Sequence, residues 1–555
     1  MSTPPKRPLT TEDIASAEAL MGIAYTAQER ELMLDTFDGQ IAAATSLRSL
    51  SFANAEAPAC RFDPRLPGFE MPQGADVLAW SDGSPAPLPD DEDDIAFAPV
   101  SRLSAWIKSG QLSCRHLCDI YLVRISLLAP KLNCIAELTE DLAKAEADRA
   151  DEKLKAGQYL GPLHGIPYLV KDLFDTKGIT TGWGAEPFQN RIPDSDATVV
   201  KRLRDAGAIL LGKSAVGALA YGDLWYDGRC RNPWNLNEGS SGSSAGSASA
   251  TAAGLCAFSI GTETLGSITS PSQRCGTTGL RPTFGRVPRG GAMALCWSMD
   301  KTGPICRSVE DTAMVLAAIN GASPEDAASI QAPLHFNAAA DTTGLRLGYL
   351  PQAFDDEATA LDHAALEAAK AFCTEVREVS LPDLPYPSLM NIMYAEAAAA
   401  FEDLTLDGSD DTLTWQDAAA WPNIFRRARF LSAVDHIQLD RLRYRVMQAL
   451  DEMFRDIDVL IGPFNTGPML VASNFTGHPC LHLPVGFFGS ATRTPGTFGG
   501  GKVQIPASEQ DGEIFRVPQG ISLWGKLFEE GTLLNFGQSL EAALGCTSER
   551  PTFPS

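Results

Sequence analysis

Apolar positions along the chain fall into two regimes. In AQERELMLDTFDGQIAAATSLRSL, residues Leu32, Met33, Phe37, Ile41 and Leu47 recur at roughly helical spacing. The preceding TTEDIASAEALMGI opens on an N-cap candidate, Thr10 or Thr11. The pattern predicts a pair of helices over about residues 10–50, then a proline-rich stretch to about residue 95 that reads as a draped linker or a hinge. From Ala96 the pattern changes. Helical VSRLSAWIKSG and CRHLCDIYLVRISLLA precede a strand-like LNCIAEL and a charged helix, DLAKAEADRADEKLKAG. Short apolar runs follow (GIPYLVKD, GAILLGK, LCAFSIG), with the helix DATVVKRLRDAG between them. Later, the amphipathic SAVDHIQLDRLRYRVMQALDEMFRDI leads into strand-like DVLIGP, CLHLPVGFF and GISLWG. Strands mixed with helices and glycine-rich loops predict an α/β fold, a sheet covered by helices. Two regions are expected: residues 1–95, helical pair plus linker, and residues 96–555, one large domain with a loop or insertion at about 488–515.

Composition narrows the functional classes. The chain has 555 residues, 44% of them hydrophobic, enough for a substantial core. Its net charge of −24 repels a phosphate backbone and no Lys/Arg cluster offsets it, which argues against nucleic acid as a direct partner. The run PDDEDD reads as a solvated connector. MSTPPKRPLT carries no apolar signal core, and no stretch approaches the roughly 20 apolar residues of a membrane span, so a cytoplasmic protein without a membrane partner is expected. Cys114, His116 and Cys118 lie close in sequence but are too few for a metal centre, and buried thiols are the expectation there.

Three stretches carry candidate chemistry. Lys171 ends the apolar run GIPYLVKD. At a strand end it is a surface residue; buried, its charged form is disfavoured and it becomes a base near neutral pH. The second stretch, EGSSGSSAGSASATAAG, holds six serines between Gly239 and Ser249. It is too close to small helix formers and to LCAFSIG for a simple linker, and a Gly/Ser helix start offers backbone N–H groups to an anion. The third is GTETLGSITSPS, where Gly266 permits unusual torsions just after a strand and neighbouring N–H groups converge.

Together these blocks resemble the amidase signature family, with SGSSAGS as the glycine/serine core, GTETLGSI as the nucleophile loop, CGTTGLRPTFGRV downstream, GIPYLVKD as the lysine motif and FTGHPCLHLPVGF as a later strand region. The resemblance runs from about residue 96 to the end. It implies a central mixed, twisted β-sheet covered by helices on both faces, with the N-terminal helices as an extension. It also implies a Ser–cis-Ser–Lys triad: Ser267 as nucleophile, Ser243 as bridging serine after a cis bond from Gly242, and Lys171 as base. Backbone N–H groups from Thr264, Leu265, Gly266 and Ser267 would form the oxyanion hole. The implied reaction is cleavage of amide C–N bonds, aryl amides and carbamates included, through an acyl-enzyme, with no metal or organic cofactor. Ureas and esters suit the same triad. The substrate is a small amide or carbamate, and a homodimer is a candidate assembly. Pocket-lining residues are not legible; loops around Trp183 and after Phe488 are candidates for specificity.

Departures from the family pattern are informative. Glu263 replaces an Asp, Leu265 a Gly, and Thr269 an Arg in the usual GTDTGGSIR. Loss of that Arg signals either a changed structural ion pair or a preference for neutral, apolar substrates. The N-terminal helical pair resembles the small C-type component of the tRNA-dependent amidotransferase, which implies a fused stabilising wrap over the catalytic domain. The core motifs also suit an A-type component of such a complex, the main alternative, whereas the fused extension and the altered nucleophile loop favour a free-standing hydrolase. Two rivals rest on other residues. Gly242–Gly246 fits GxSxG with Ser244 at its centre and His478 or His482 downstream, as in an α/β-hydrolase. Ser298 and Lys301 fit S-x-x-K.

Overall fold

The structure is a computed structural model that describes residues 8–81, 86–356, 358–464, 467–493, 512–546 and 549–553. Most of the expected loop or insertion after Phe488 lies outside the described residues; the flanking text forms two long strands instead.

Eleven strands build the central sheet. In chain order they are β1 Ile135–Leu138, β2 Pro167–Lys171, β3 Ile209–Ser214, β4 Phe258–Glu263, β5 Thr278–Arg281, β6 Lys301–Cys306, β7 Arg346–Tyr349, β8 Glu375–Glu378, β9 Val459–Pro463, β10 Cys480–Ser490 and β11 Phe515–Gly525. Their spatial order is β8-β7-β9-β11-β10-β5-β6-β4-β2-β3-β1. The sheet is mixed: β8, β7 and β9 run parallel, as do β4, β2 and β3, and the intervening pairs are antiparallel.

Burial explains the strand text. Every residue of β2, β3, β4 and β6 is buried. A strand covered on both faces needs no alternation, which is why these segments read as short runs. The edge strand β8 alternates between half-buried and exposed and presents Glu375, Arg377 and Glu378, charges that discourage pairing with another chain. In four strands the local text is too weak to mark them. β6, with Gly303 and Pro304 inside KTGPIC, looks like a turn, yet Pro304 sits opposite Ile260 in the sheet interior. Proline there forfeits a ladder donor; packing on both faces overrides the local preference.

Helices pack against this sheet. Glu140–Lys155 lies on β3, Val309–Ile319 on β6, and Glu530–Leu544 on β10 and β11. No described helix is long and apolar enough to cross a membrane.

Two helices, Thr11–Met21 and Ala27–Leu47, precede this body. Each starts with a reciprocal cap, Thr10 with Asp13 and Thr26 with Glu29, which satisfies otherwise orphaned N–H groups. Arg30 joins the two through Glu18 at 2.6 Å. The chain then returns to the body. Asn54 Nδ2 donates to Ala294 O at 2.8 Å while Ala294 N–H donates to Asn54 Oδ1 at 2.7 Å. Phe62 packs on Phe284, and the Arg443 guanidinium lies 3.7 Å from the Phe62 ring centre. Val77–Ala79 adds a parallel two-stranded ladder with His335–Asn337.

Candidate active site

Strands β2 and β4 are parallel neighbours, with Val170 beside Ile260. Their C-terminal ends therefore open on the same edge of the sheet, one ending in Lys171 and the other in the loop Thr264–Ser267. The helix Ala245–Ala252 packs on both strands and carries the end of the serine-rich stretch toward the same point.

Lys171 is buried, not at the surface. Its Nζ lies 2.8 Å from Ser243 Oγ, 2.9 Å from Thr262 Oγ1 and 3.1 Å from Ser244 Oγ. Burial pulls its pKa well below the ordinary lysine value, with the more distant Asp300 and Glu263 opposing only in part. The Gly242–Ser243 peptide is cis. Gly242 has no room for a side chain: a Cβ would stand 1.9 Å from Gly222 O. Ser244 N–H donates to Ser267 O at 3.1 Å, stitching the serine-rich loop to the Ser267 loop. Ser267 is 9% exposed and, with Gly242, lines a pocket of about 40 Å³.

Each hydroxyl of the serine-rich stretch has a partner. Ser241 Oγ pairs with Ser270 Oγ at 2.7 Å, Ser247 Oγ with Ser214 Oγ at 2.8 Å, and Ser249 Oγ donates to Arg231 O at 2.7 Å. Ser240 Oγ donates to Ser241 O. The stretch is thus folded structure. Two of the N–H groups at its helix start are taken, Ser244 N–H by Ser267 O and Gly246 N–H by Ala215 O.

The Ser267 loop is different. Gly266 sits at φ +82°, a torsion that favours glycine. The N–H groups of Leu265, Gly266 and Ser267 donate to no protein acceptor among the described residues. The next two are held: Ile268 and Thr269 N–H both donate to Glu263 Oε2 at 2.9 Å. Glu263 in turn pairs with Arg281 at 2.7 Å and accepts from Asn474 Nδ2 at 3.0 Å, all fully buried. Burial alone would raise its pKa; Arg281 and the loop N–H groups override that and hold it at about 2. Glu263, Arg281 and Asn474 are not legible as site residues in the sequence, because the cluster joins positions 263, 281 and 474 through the fold. Glu263 and Arg281 do lie within GTETLGSI and CGTTGLRPTFGRV, but neither motif shows that the two side chains pair.

Both rival arrangements come apart. Ser244 is fully buried, accepts from Thr262 N–H at 3.2 Å and donates to Thr262 O at 3.1 Å, so it is no exposed elbow. His478 meets Thr476 and stacks on Phe454, and His482 meets Ser522; burial depresses both to about 3. Ser298 bonds Glu396 and Arg443, whereas Lys301 points at the carbonyls of Met299, Thr264 and Asn474.

The pocket beside Ser267 is walled by Tyr221, Leu265, Met390, Tyr394, Trp421 and Ile424. No charged residue lines it among those described. Trp183 packs inward instead, against Phe188 at 4.6 Å between ring centres.

Comparison with known proteins places this arrangement. The family model described as Amidase matches residues 116–534. The A subunit of glutamyl-tRNA(Gln) amidotransferase from Pseudomonas syringae pv. syringae (strain B728a) is 33% identical over 467 residues, covering 79% of this chain and 95% of that protein. Among solved structures, native peptide amidase from Stenotrophomonas maltophilia superposes with a TM-score of 0.68 at 27% identity, over 82% of this chain and 99% of that one. An inhibitor-bound structure concerned with the origins of an s-triazine catabolic enzyme gives 0.69 at 28% identity, over 82% and 100%. The chain belongs to the amidase signature family, whose members act on C–N bonds.

Proposed function

We propose that the protein hydrolyses a neutral amide through Ser267, Ser243 and Lys171. The observation that carries this reading is a buried lysine amine 2.8 Å from Ser243 Oγ, one residue from the backbone bond that ties this loop to Ser267. Neutral Lys171 accepts the Ser243 proton as Ser243 takes the one from Ser267. Ser267 Oγ bonds to the amide carbon, and the carbonyl oxygen becomes an oxyanion. The N–H groups of Leu265, Gly266 and Ser267 receive that charge, with Thr264 N–H at the head of the loop; one such donor is worth about 3–4 kcal/mol in the transition state. Collapse restores the C=O and breaks the C–N bond, and the nitrogen takes its proton from Lys171 through Ser243. Water then attacks the ester by the same relay, releasing the acid and restoring Ser267.

A second reading shares this chemistry. The curated relatives carry the name of an amidotransferase component, and they favour glutamine as amide donor within a complex over a free-standing hydrolase. The lining of the Ser267 pocket favours an uncharged acyl group, because glutamine brings an ammonium and a carboxylate that need partners. The N-terminal helices would serve in either case as a fused counterpart of a small helical partner.

A panel of acetamide, acetanilide, malonamate, a phenyl carbamate and glutamine against wild type and Ser267→Ala separates the readings. Acetanilide turnover at least 10-fold above malonamate and glutamine, lost in Ser267→Ala, is the expected result. Glutaminase activity that dominates the panel, or rises on adding amidotransferase B-type partners, would establish the second reading in its place.

A further inference from the structure

The site has a second chamber. A cavity of about 350 Å³ shares Ala220, Thr264 and Leu295 with the small pocket at Ser267. Its floor is formed by Thr262 and Thr302, cross-strand neighbours on β4 and β6. Thr262 Oγ1 lies 2.9 Å from Lys171 Nζ, so a residue of the chamber wall touches the base, which is itself fully buried behind it. One lip of its mouth is built by Ala55, Ala57, Pro58 and Ala59. These belong to the segment ahead of the sheet that Asn54 pins reciprocally to Ala294.

The two volumes differ in what they admit. About 40 Å³ beside Ser267 fits a group the size of an acetyl or carbamoyl unit, whereas about 350 Å³ lies within the usual size of small-ligand pockets, roughly 300–1,000 Å³. The charged side chains around the larger chamber already have partners: three of the five sit in ion pairs, and Arg61 and Asp300 are hydrogen-bonded by neutral groups. Arg289 pairs with Asp326, Glu325 with Lys201, and Arg61 donates to Ala327 O. Asp300 accepts from Thr264 Oγ1 and from the N–H groups of Leu295 and Cys296. Thr302 is different: it is 1% exposed, and its hydroxyl has no hydrogen-bond partner among the described residues. Thr302 lines the chamber, and a buried hydroxyl without a partner is a group that a ligand can satisfy.

We infer that this chamber binds the leaving-amine arm of the substrate, a neutral, ring-sized amine with a hydrogen-bonding group for Thr302, and that residues 55–59 of the N-terminal segment act as a specificity lip. The inference rests on the amidase reading above and names its substrate class: small acyl group, bulky neutral amine. Entry from the lip brings the amine nitrogen in on the Thr262 side, next to the relay that must return its proton.

The test fills the chamber from its lip in the full-length chain. Ala57→Trp and, separately, Ala59→Trp are compared with wild type on acetamide and acetanilide, which share an acyl group and differ in the amine. At least a 10-fold fall in kcat/KM for acetanilide with less than a 2-fold change for acetamide, at unchanged melting temperature, is expected. Aniline binding is measured in parallel by calorimetry in the Ser267→Ala background, where turnover plays no part. Saturable binding that both lip substitutions and Thr302→Val weaken at least 5-fold supports the chamber. Equal losses on both amides, or aniline binding that none of the substitutions alters, would overturn it. Retained turnover in Ser267→Ala would refute the nucleophile assignment alone and leave the calorimetric result to decide the chamber.

Discussion

Lys171→Met is expected to lower kcat/KM by about 10²–10⁴-fold, the range of a positioned general base. The lysine is buried among Ser243, Ser244 and Thr262 hydroxyls, with no carboxylate in hydrogen-bonding contact among the described residues, so burial pulls its pKa down and favours the uncharged form. Methionine preserves length and apolar volume and removes the lone pair. Lys171→Arg should fare no better, because a guanidinium stays protonated. The pH dependence has a definite sign. A lysine whose folded pKa lies below its unfolded value of 10.5 binds more protons when unfolded, so it costs stability at neutral pH and that cost vanishes as pH rises to 10.5. Wild type should therefore gain stability relative to Lys171→Met between pH 7 and 10.5, measured by urea unfolding. Activity should fall on the acid side as Lys171 protonates and plateau above its folded pKa. A difference in stability that stays flat with pH would show that the lysine is charged in the folded protein.

Glu263→Ala is the second large effect, and it acts on folding and activity together. Removing the carboxylate strands the Arg281 charge in a fully buried site and releases two backbone donors. Breaking a buried pair from one side costs about 3–5 kcal/mol. On the proposed mechanism Glu263 acts as a positioning residue: it fixes Ile268 and Thr269 N–H, directly after the loop whose Leu265, Gly266 and Ser267 N–H groups donate to no protein acceptor among the described residues. The double variant Glu263→Ala/Arg281→Met removes the stranded charge and should regain a large part of the stability, since replacing both partners of a buried pair by apolar groups is often close to neutral. Turnover should not return with it. Recovery of both would mean that the pair serves stability alone. The Glu263 contribution is present above its unfolded pKa near 4.5 and is lost as pH falls toward about 2. Acid unfolding of wild type should accordingly sharpen in that window, and the double variant should lack this step.

Legibility in the sequence follows continuity of the text. Lys171, Ser243 and Ser267 each sit in a short local pattern, and the apolar runs ending at Lys171 and Glu263 mark the strands that deliver them. The clamp of Glu263, Arg281 and Asn474 is assembled from β4, β5 and the helix Met469–Thr476, and no local pattern links them. The pocket walls are similar: Met390, Tyr394, Trp421 and Ile424 come from helices outside every motif, whose apolar residues read as ordinary core. Trp183, the residue that stands out in its loop, turns inward. The strands hardest to read have Gly and Pro inside them, such as β6, where burial on both faces outweighs local preference. Likewise, the extended text after Leu50 reads as linker, and only its hydrogen bonds to Ala294 and Ala327 place it at the mouth of a cavity.

The central claim is that Ser267, and not Ser243 or Ser244, carries the acyl group. Rapid-quench mass spectrometry during acetanilide turnover tests it directly, with peptide mapping of the trapped species. An acetyl adduct on Ser267, absent from Ser267→Ala and accumulating more slowly in Lys171→Met, is the expected result. An adduct on Ser244, or full turnover by Ser267→Ala with no adduct at all, would contradict it.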